Sequence, residues 1–252
     1  MTDSADPYLM QGNMQAYVIP GATVSWGNGW SGMAHKPALV LSIPLAFRDT
    51  SLAQVAAGAA DAQFATGFAF MAQAGFPRIV LRLGWEEGGT TPGTNWMNWD
   101  QPYDPAAYVA AYRRVHDLAV RALPNATFEW NTSDPTGGMA AYPGDDVVDV
   151  IGNDIYRRPA DAPGFGPHLG AFDAVVGLAR AHGKQVGFSE FGLNVDDPAF
   201  INGFCAQAAQ LPALGAGSLG YWVLFQGTPG DGYIYDINHF PQALSALQTC
   251  MG

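Results

Sequence analysis

The stretch Arg78-Ile-Val-Leu-Arg-Leu-Gly-Trp-Glu-Glu-Gly-Gly89 decides how this chain is read. A run of β-branched and apolar residues ends on a glycine and is followed at once by two glutamates, so a strand presents acidic side chains at its carboxyl end. Gln185-Val-Gly-Phe-Ser-Glu190 repeats the pattern. Outward from these two stretches, from residue 38, short apolar runs alternate with longer helical patterns. Strands are predicted over 38–43, 78–83, 127–130, 147–151, 185–188 and 219–224, and helices over 52–74, 105–122, 170–182, 198–209 and 240–249. Strict alternation, without a composition shift or low-complexity linker, reads as one domain over residues 1–252, with α/β units around a parallel sheet. Two features favour a (β/α)8 TIM-type barrel over an open doubly wound sheet. No Gly-x-Gly-x-x-Gly follows a predicted strand, and the reactive residues follow several different strand ends. The irregular first 37 residues have room for one or two strands, at 15–19 and 23–26, but little for helices between them. Abbreviated or incomplete N-terminal barrel units are therefore expected.

Composition narrows the chemistry. With 11 basic against 22 acidic residues the net charge is −11, and no run of Lys or Arg interrupts the acidic background, which excludes nucleic acid and anionic membrane surfaces as partners. No segment has the 18 or so consecutive apolar residues that a membrane helix needs, and Met1 is followed by polar residues rather than by a basic and apolar leader. Only 13% of residues are charged while 12% are aromatic, so the surface presents rings, which stack on neutral ligands such as sugars. The five histidines are scattered, without His-x-x-x-His or Cys-x-x-Cys, so no metal site and no cofactor are expected. Gly-x-Ser-x-Gly is also absent. Cys205 and Cys250 fall on the last two predicted helices and leave two readings open, a helix-to-helix disulfide or two buried thiols.

The sequence holds four glutamates, Glu86, Glu87, Glu129 and Glu190, and all fall in or just after predicted strands rather than on helix faces, where glutamate is usually common. A barrel would carry Glu86 and Glu190 to one rim. Two carboxyls facing each other across a glycosidic bond supply what sugar hydrolysis needs, a proton donor and a nucleophile or base. The plainer reading is strand-end carboxylates paired with Arg82. Five tryptophans, Trp85, Trp96, Trp99, Trp130 and Trp222, lie in or just after strands, where indole faces would stack on sugar rings and Asn131, Asp154 and Gln226 would bind hydroxyls. Trp85 and Trp222 are equally suited to filling the barrel.

At these residues a family resemblance emerges. Arg82-Leu-Gly-Trp-Glu-Glu-Gly-Gly89, followed by Asn95-Trp-Met-Asn-Trp99 and Ala106-Ala-Tyr-Val-Ala-Ala-Tyr-Arg113, resembles the fourth-strand region of glycoside hydrolase family 26. There the family typically reads Arg-Leu-Gly-His-Glu-Met-Asn-Gly, then Trp-Tyr-Pro-Trp. Gly58-Ala-Ala-Asp61 is similar to its Gly-x-x-Asp, Tyr142 to Tyr156 to its sixth-strand signature, and Gly183 to Gly192 to its nucleophile strand. The resemblance spans roughly residues 38 to 250 and implies a retaining clan A barrel. It implies Glu86 as acid/base and Glu190 as nucleophile, with Arg82 and Tyr156 flanking the nucleophile. Most family members are endo-β-mannanases. Trp85 replaces the usual His, Glu87 the Met and Gly88 the Asn, so the resemblance carries the reaction class further than the choice of mannan.

The expected activity is therefore endo-acting, retaining hydrolysis of a β-linked poly- or oligosaccharide by a monomer, secreted or periplasmic because its substrate is a polymer. Glu86 must keep its proton near neutral pH, which burial beside Trp85 and nearby negative charge favour, while Glu190 must stay ionised. Glu87 would either form a salt bridge behind the barrel or reach a substrate hydroxyl. A glycan-binding barrel without turnover and a transglycosylase are the alternatives.

Overall fold

The computed structural model describes residues 9–13, 38–46, 50–88, 104–226 and 234–251. The strands expected at 15–19 and 23–26 lie outside them, as do Trp96 and Trp99. The described residues group into two compact units, one up to Val150 and one from Ile151.

The first unit contains, in order, β1 (Leu9–Asn13), β2 (Ala38–Ile43), α1 (Leu52–Ala56), α2 (Asp61–Ala74), β3 (Ile79–Leu83), α3 (Pro105–Ala122) and β4 (Thr127–Asn131). The strands pair in chain order, all parallel. The helix expected over 52–74 is instead two helices. Ser51 and Gln54 form a capping box on α1, and the turn after it places Gly58 at φ +94°, a conformation that side chains resist. Asp61, in the first turn of α2, then accepts from both Arg114 Nε at 3.0 Å and Arg114 Nη2 of α3, which is what the Gly-x-x-Asp motif builds. Helix α3 starts where Asp104 accepts from the Ala106 and Ala107 amides ahead of Pro105. It buries Tyr108, Ala111, Tyr112, Val115 and Ala119, a stripe at helical spacing, with each large side chain contributing about 1.5–3 kcal/mol.

The chain joins the second unit within β5 (Val150–Gly152). Next come β6 (Ile155–Arg157), α4 (Leu169–Ala181), β7 (Gln185–Leu193), α5 (Pro198–Ala208), β8 (Leu219–Leu224) and α6 (Pro241–Cys250). Strands β6 and β8 both pair in parallel with β7. Three sequence expectations change here. The strand expected over 147–151 begins at Val150, β6 was not expected, and the strand expected to end at Phe188 runs on to Leu193.

The extension of β7 has a local cause. Phe188 is level with Trp222 and Phe191 with Leu224, so three steps on β7 match two on β8, and one extra residue bulges at Ser189–Glu190. The bulge breaks the period of two, and both phenylalanines face the helices. Phe188 packs on Phe172 of α4 at 5.0 Å and Phe191 on Phe204 of α5 at 4.2 Å. A disulfide between Cys205 and Cys250 joins α5 to α6, deciding between the two cysteine readings. Arg157 Nε meets Asp197 Oδ2 at 2.8 Å, both buried, and Asp197 also accepts from the Gly164 and Phe200 amides. Burial works against its charge, but the amides and Arg157 outweigh it and hold the carboxyl below the usual carboxylate range. Among the described residues no helix is long and apolar enough to cross a membrane.

Candidate active site

Glu86 sits in the turn that leaves β3. Gly84, Glu86 and Gly88 have φ of 58°, 55° and 79°, and Glu86 is the one non-glycine with positive φ among the described residues. For a residue with a Cβ this conformation costs about 1–2 kcal/mol, and it persists only where the surroundings impose it. On one side, the Tyr108 hydroxyl donates to the carbonyls of Leu83 and Gly84 at 3.0 and 2.9 Å. Position 84 admits only glycine, because a Cβ there would lie 2.7 Å from Leu45 Cδ1 and 2.8 Å from Tyr108 Cε2. On the other side, the turn rejoins β4. The Glu87 amide donates to the Asn131 carbonyl at 3.0 Å and the Glu87 carbonyl accepts from Ser133 at 2.9 Å. The Glu86 amide donates to Asn131 Oδ1 at 2.7 Å. Glu86 itself is half-buried and Glu87 is buried.

A row of polar side chains runs beneath this turn. Ser42, Arg82 and Glu129 are level across β2, β3 and β4, and all three are fully buried. Arg82 Nη1 donates to Ser42 Oγ at 2.7 Å, and Arg82 Nε lies 3.7 Å from Glu129 Oε2. Burial of a carboxylate demands such a partner. Asn131 Nδ2 donates to the other oxygen, Glu129 Oε1, at 3.1 Å.

Glu190 lies on β7 at the bulge rather than beyond a strand end, and it is buried at 7% exposure. Its Oε2 accepts from the Tyr156 hydroxyl of β6, and its amide donates to Asp154 Oδ1 at 3.1 Å. Tyr156 is level with Gly192, and the missing side chain makes room for the ring: a Cβ at 192 would stand 2.8 Å from Tyr156 Cε1. Tyr235 and Phe225 meet the same ring edge-on at 5.0 and 5.6 Å. Tyr156 is thus held on three sides with its hydroxyl aimed at the Glu190 carboxylate.

Several residues expected to bind sugar are placed differently. Trp130 has no exposed surface and packs edge-on against Tyr142, on the opposite side of β4 from Glu129 and Asn131. Trp85 is 1% exposed and presents no open ring face. Trp222, half-buried, packs edge-on against Phe191 and against Phe204 of α5, in the layer between strand and helix. Asn131 is fully buried, with both ends of its amide engaged by the protein. Gln226 is exposed, and its Oε1 accepts from the Ile237 amide at 3.1 Å. Trp85, Trp130 and Asn131 are thus enclosed by the protein itself, while Trp222 is half-buried and Gln226 exposed. Asp154 and Tyr156 remain half-buried beside Glu190. Sequence reading assigned no role to Glu129, although its alternation with Phe128 and Trp130 on one strand is the signal that separates it from them.

Parallel strands backed by helices define an α/β protein, with carboxylates carried on β7 and just beyond β3. The sequence matches glycosyl hydrolase family 26 over residues 62–216, more than half of the chain, and the chain belongs to that family. No curated protein matches it in sequence. Among solved structures, an endo-β-1,4-mannanase double mutant from Cellulomonas fimi is similar over 97% of this chain and 63% of its own, at 19% identity and a TM-score of 0.65. A family 26 β-mannanase from Bacteroides ovatus is similar over 96% of this chain and 77% of its own, at 15% identity and a TM-score of 0.59. The catalytic domain of a Bacillus sp. JAMB-750 endo-β-1,4-mannanase is similar over 85% and 65%, at 20% identity and a TM-score of 0.61. These likenesses show the fold, an incomplete (β/α)8 barrel, as the alternation of strands and helices led us to expect. The chain spans less than two thirds of the length of the Cellulomonas mannanase.

Proposed function

We propose that this protein is a retaining, endo-acting hydrolase of β-linked polysaccharide, with β-mannan as its first candidate substrate, Glu190 as nucleophile and Glu86 as acid/base. The observation that carries the reading is the Tyr156 hydroxyl donating into a buried Glu190 carboxylate inside a family 26 chain. Attack at an anomeric carbon needs one ionised oxygen held in a fixed direction. Tyr156 and the bulge on β7 supply that direction. The covalent glycosyl-enzyme then forms as the leaving oxygen takes a proton from Glu86, and water, deprotonated by Glu86, releases the sugar. Arg82 and Glu129 form a buried, mutually neutralising pair beneath the Glu86 turn. Mannan is favoured because the similar structures are mannanases, while Trp85, Glu87 and Gly88 in place of the usual residues support a changed set of contacts around the scissile sugar. Asp154, Glu87, Trp96 and Trp99 are the proposed sugar contacts.

The disulfide between α5 and α6 supports a secreted or periplasmic site of action, since such bonds persist in oxidising compartments. All the groups in this mechanism come from one chain, so a monomer suffices. The test is new reducing ends from a panel of β-mannans, β-glucans and xylans with wild type, Glu190→Ala and Glu86→Ala. Glu190→Ala is expected to be inactive on every substrate, and Glu86→Ala to keep the glycosylation step, read as a burst of the leaving group, only where that group needs no proton, with release of the sugar slowed. Equal residual activity of the two variants on polymer and on an activated aryl glycoside would refute the assignment.

A further inference from the structure

The turn after β3 holds a glutamate where its flanking left-handed positions hold glycine. Glycine at 86 would relax the backbone but could not carry a proton, so the conformation has to be imposed from outside. The imposing group is Asn131. Its Oδ1 accepts the Glu86 amide at 2.7 Å, and its carbonyl accepts the next amide, Glu87, at 3.0 Å, so one residue of β4 fixes two successive peptide groups. The orientation of the Asn131 amide is itself determined. Its Nδ2 faces Glu129 Oε1 at 3.1 Å, and a carboxylate only accepts when ionised. Flipping the amide would put an oxygen against the carboxylate and an NH2 against the Glu86 N–H. Glu129 is held in turn by Arg82, and Arg82 by Ser42. The buried row Ser42, Arg82, Glu129 therefore ends in an acceptor aimed at the Glu86 amide.

We infer that Asn131 is a positioning residue for Glu86: it fixes the left-handed backbone at 86, and with it the direction of the proton-donating carboxyl, while Glu129 and Arg82 lock the Asn131 amide in the only orientation that can do so. This rests on the reading of Glu86 as acid/base. It also replaces the expectation that Asn131 binds sugar hydroxyls. An aspartate at 131 would keep the acceptor but set a second carboxylate against Glu129, so the site calls for the neutral amide.

The test compares wild type, Asn131→Ala, Asn131→Ser, Glu86→Ala and the Asn131→Ala/Glu86→Ala double variant on β-mannan and on a dinitrophenyl β-mannoside, whose leaving group needs no proton. Asn131→Ala is expected to lower kcat on the polymer roughly 10- to 100-fold with KM within about threefold, and to leave glycosylation by the dinitrophenyl substrate within a few-fold of wild type. In the Glu86→Ala background the same change is expected to have no further effect, because Asn131 acts only through Glu86. Asn131→Ser, which leaves a hydroxyl and room for water, gives the same kinetic pattern if the alanine variant fails to fold. A raised KM with intact kcat, equal loss on both substrates, or additive loss in the double variant would overturn the inference. If Glu86→Ala leaves polymer cleavage intact, the acid/base reading has failed. If Glu86→Ala abolishes cleavage and neither Asn131 variant does, that reading stands and only this inference falls.

Discussion

Replacing Gly192 by alanine builds a methyl carbon 2.8 Å from Tyr156 Cε1, 3.0 Å from Cδ1 and 3.4 Å from Tyr235 Cδ1. Carbon atoms rest at about 3.5–4.0 Å, so the Tyr156 ring must move by most of an ångström, and Phe225 and Tyr235 already pack against it. The hydroxyl then leaves the Glu190 carboxylate. Overpacking of this kind costs about 1–3 kcal/mol, equivalent to a drop in melting temperature of about 2–12 °C for a chain of this size. A hydrogen bond to a charged group contributes about 1.5–3 kcal/mol, so turnover should fall about 10- to 150-fold. The assay is reducing-end release from the best polymer of the panel, with thermal unfolding of the same samples. Tyr156→Phe should lose a similar factor in turnover while leaving the fold more stable than Gly192→Ala, since it removes an oxygen and adds no clash. The double variant should lose no more activity than Tyr156→Phe alone. Full activity in Gly192→Ala, or additive losses in the double variant, would refute the argument that Gly192 exists to seat Tyr156.

Reducing the Cys205–Cys250 bond, or replacing both cysteines by serine, should lower unfolding stability by about 4 kcal/mol, because the bond closes a 45-residue separation; denaturant titration with and without reductant measures it. Asp197→Asn should cost about 3–5 kcal/mol by stranding buried Arg157. The Asp197 carboxyl is held below its unfolded value of about 3.9, so its contribution is complete above that pH and is lost as pH falls through the folded value. Acid unfolding curves of the asparagine variant should therefore be flatter than wild type below about pH 4. Burial against Phe165 and Phe200 pushes His168 down from its ordinary value, so its neutral form is favoured in the fold. Stability from this group is present above about pH 6.5 and is lost as pH falls through the lowered folded value, and His168→Leu should reduce that slope in melting temperature against pH.

Much of the architecture was legible because its signals are local. The strands at 38–43 and 219–224 and the helix at 105–122 stand where the alternation of apolar runs and helical patterns placed them. The helix over 52–74 was misread because Gly58 follows a helical pattern closely on both sides, and only its positive φ shows that the chain turns. The strand carrying Glu190 was cut short because Phe188 and Phe191 are three apart, which contradicts alternation; the bulge that reconciles them depends on β8.

By itself the sequence determined the alternation of strands and helices, the placement of every glutamate on or beside a strand, and the family. Those follow from residue type and spacing over a few positions. Only the tertiary structure decided that Trp85 and Trp130 are buried, that Trp222 packs on Phe191 and Phe204, and that Asn131 meets the Glu86 amide and the Glu129 carboxylate. It likewise decided that Tyr156 reaches Glu190 across the gap left by Gly192. The physical reason is common to all of these: the face a side chain presents and the partner it meets are set by elements tens of residues away, and no local period encodes them.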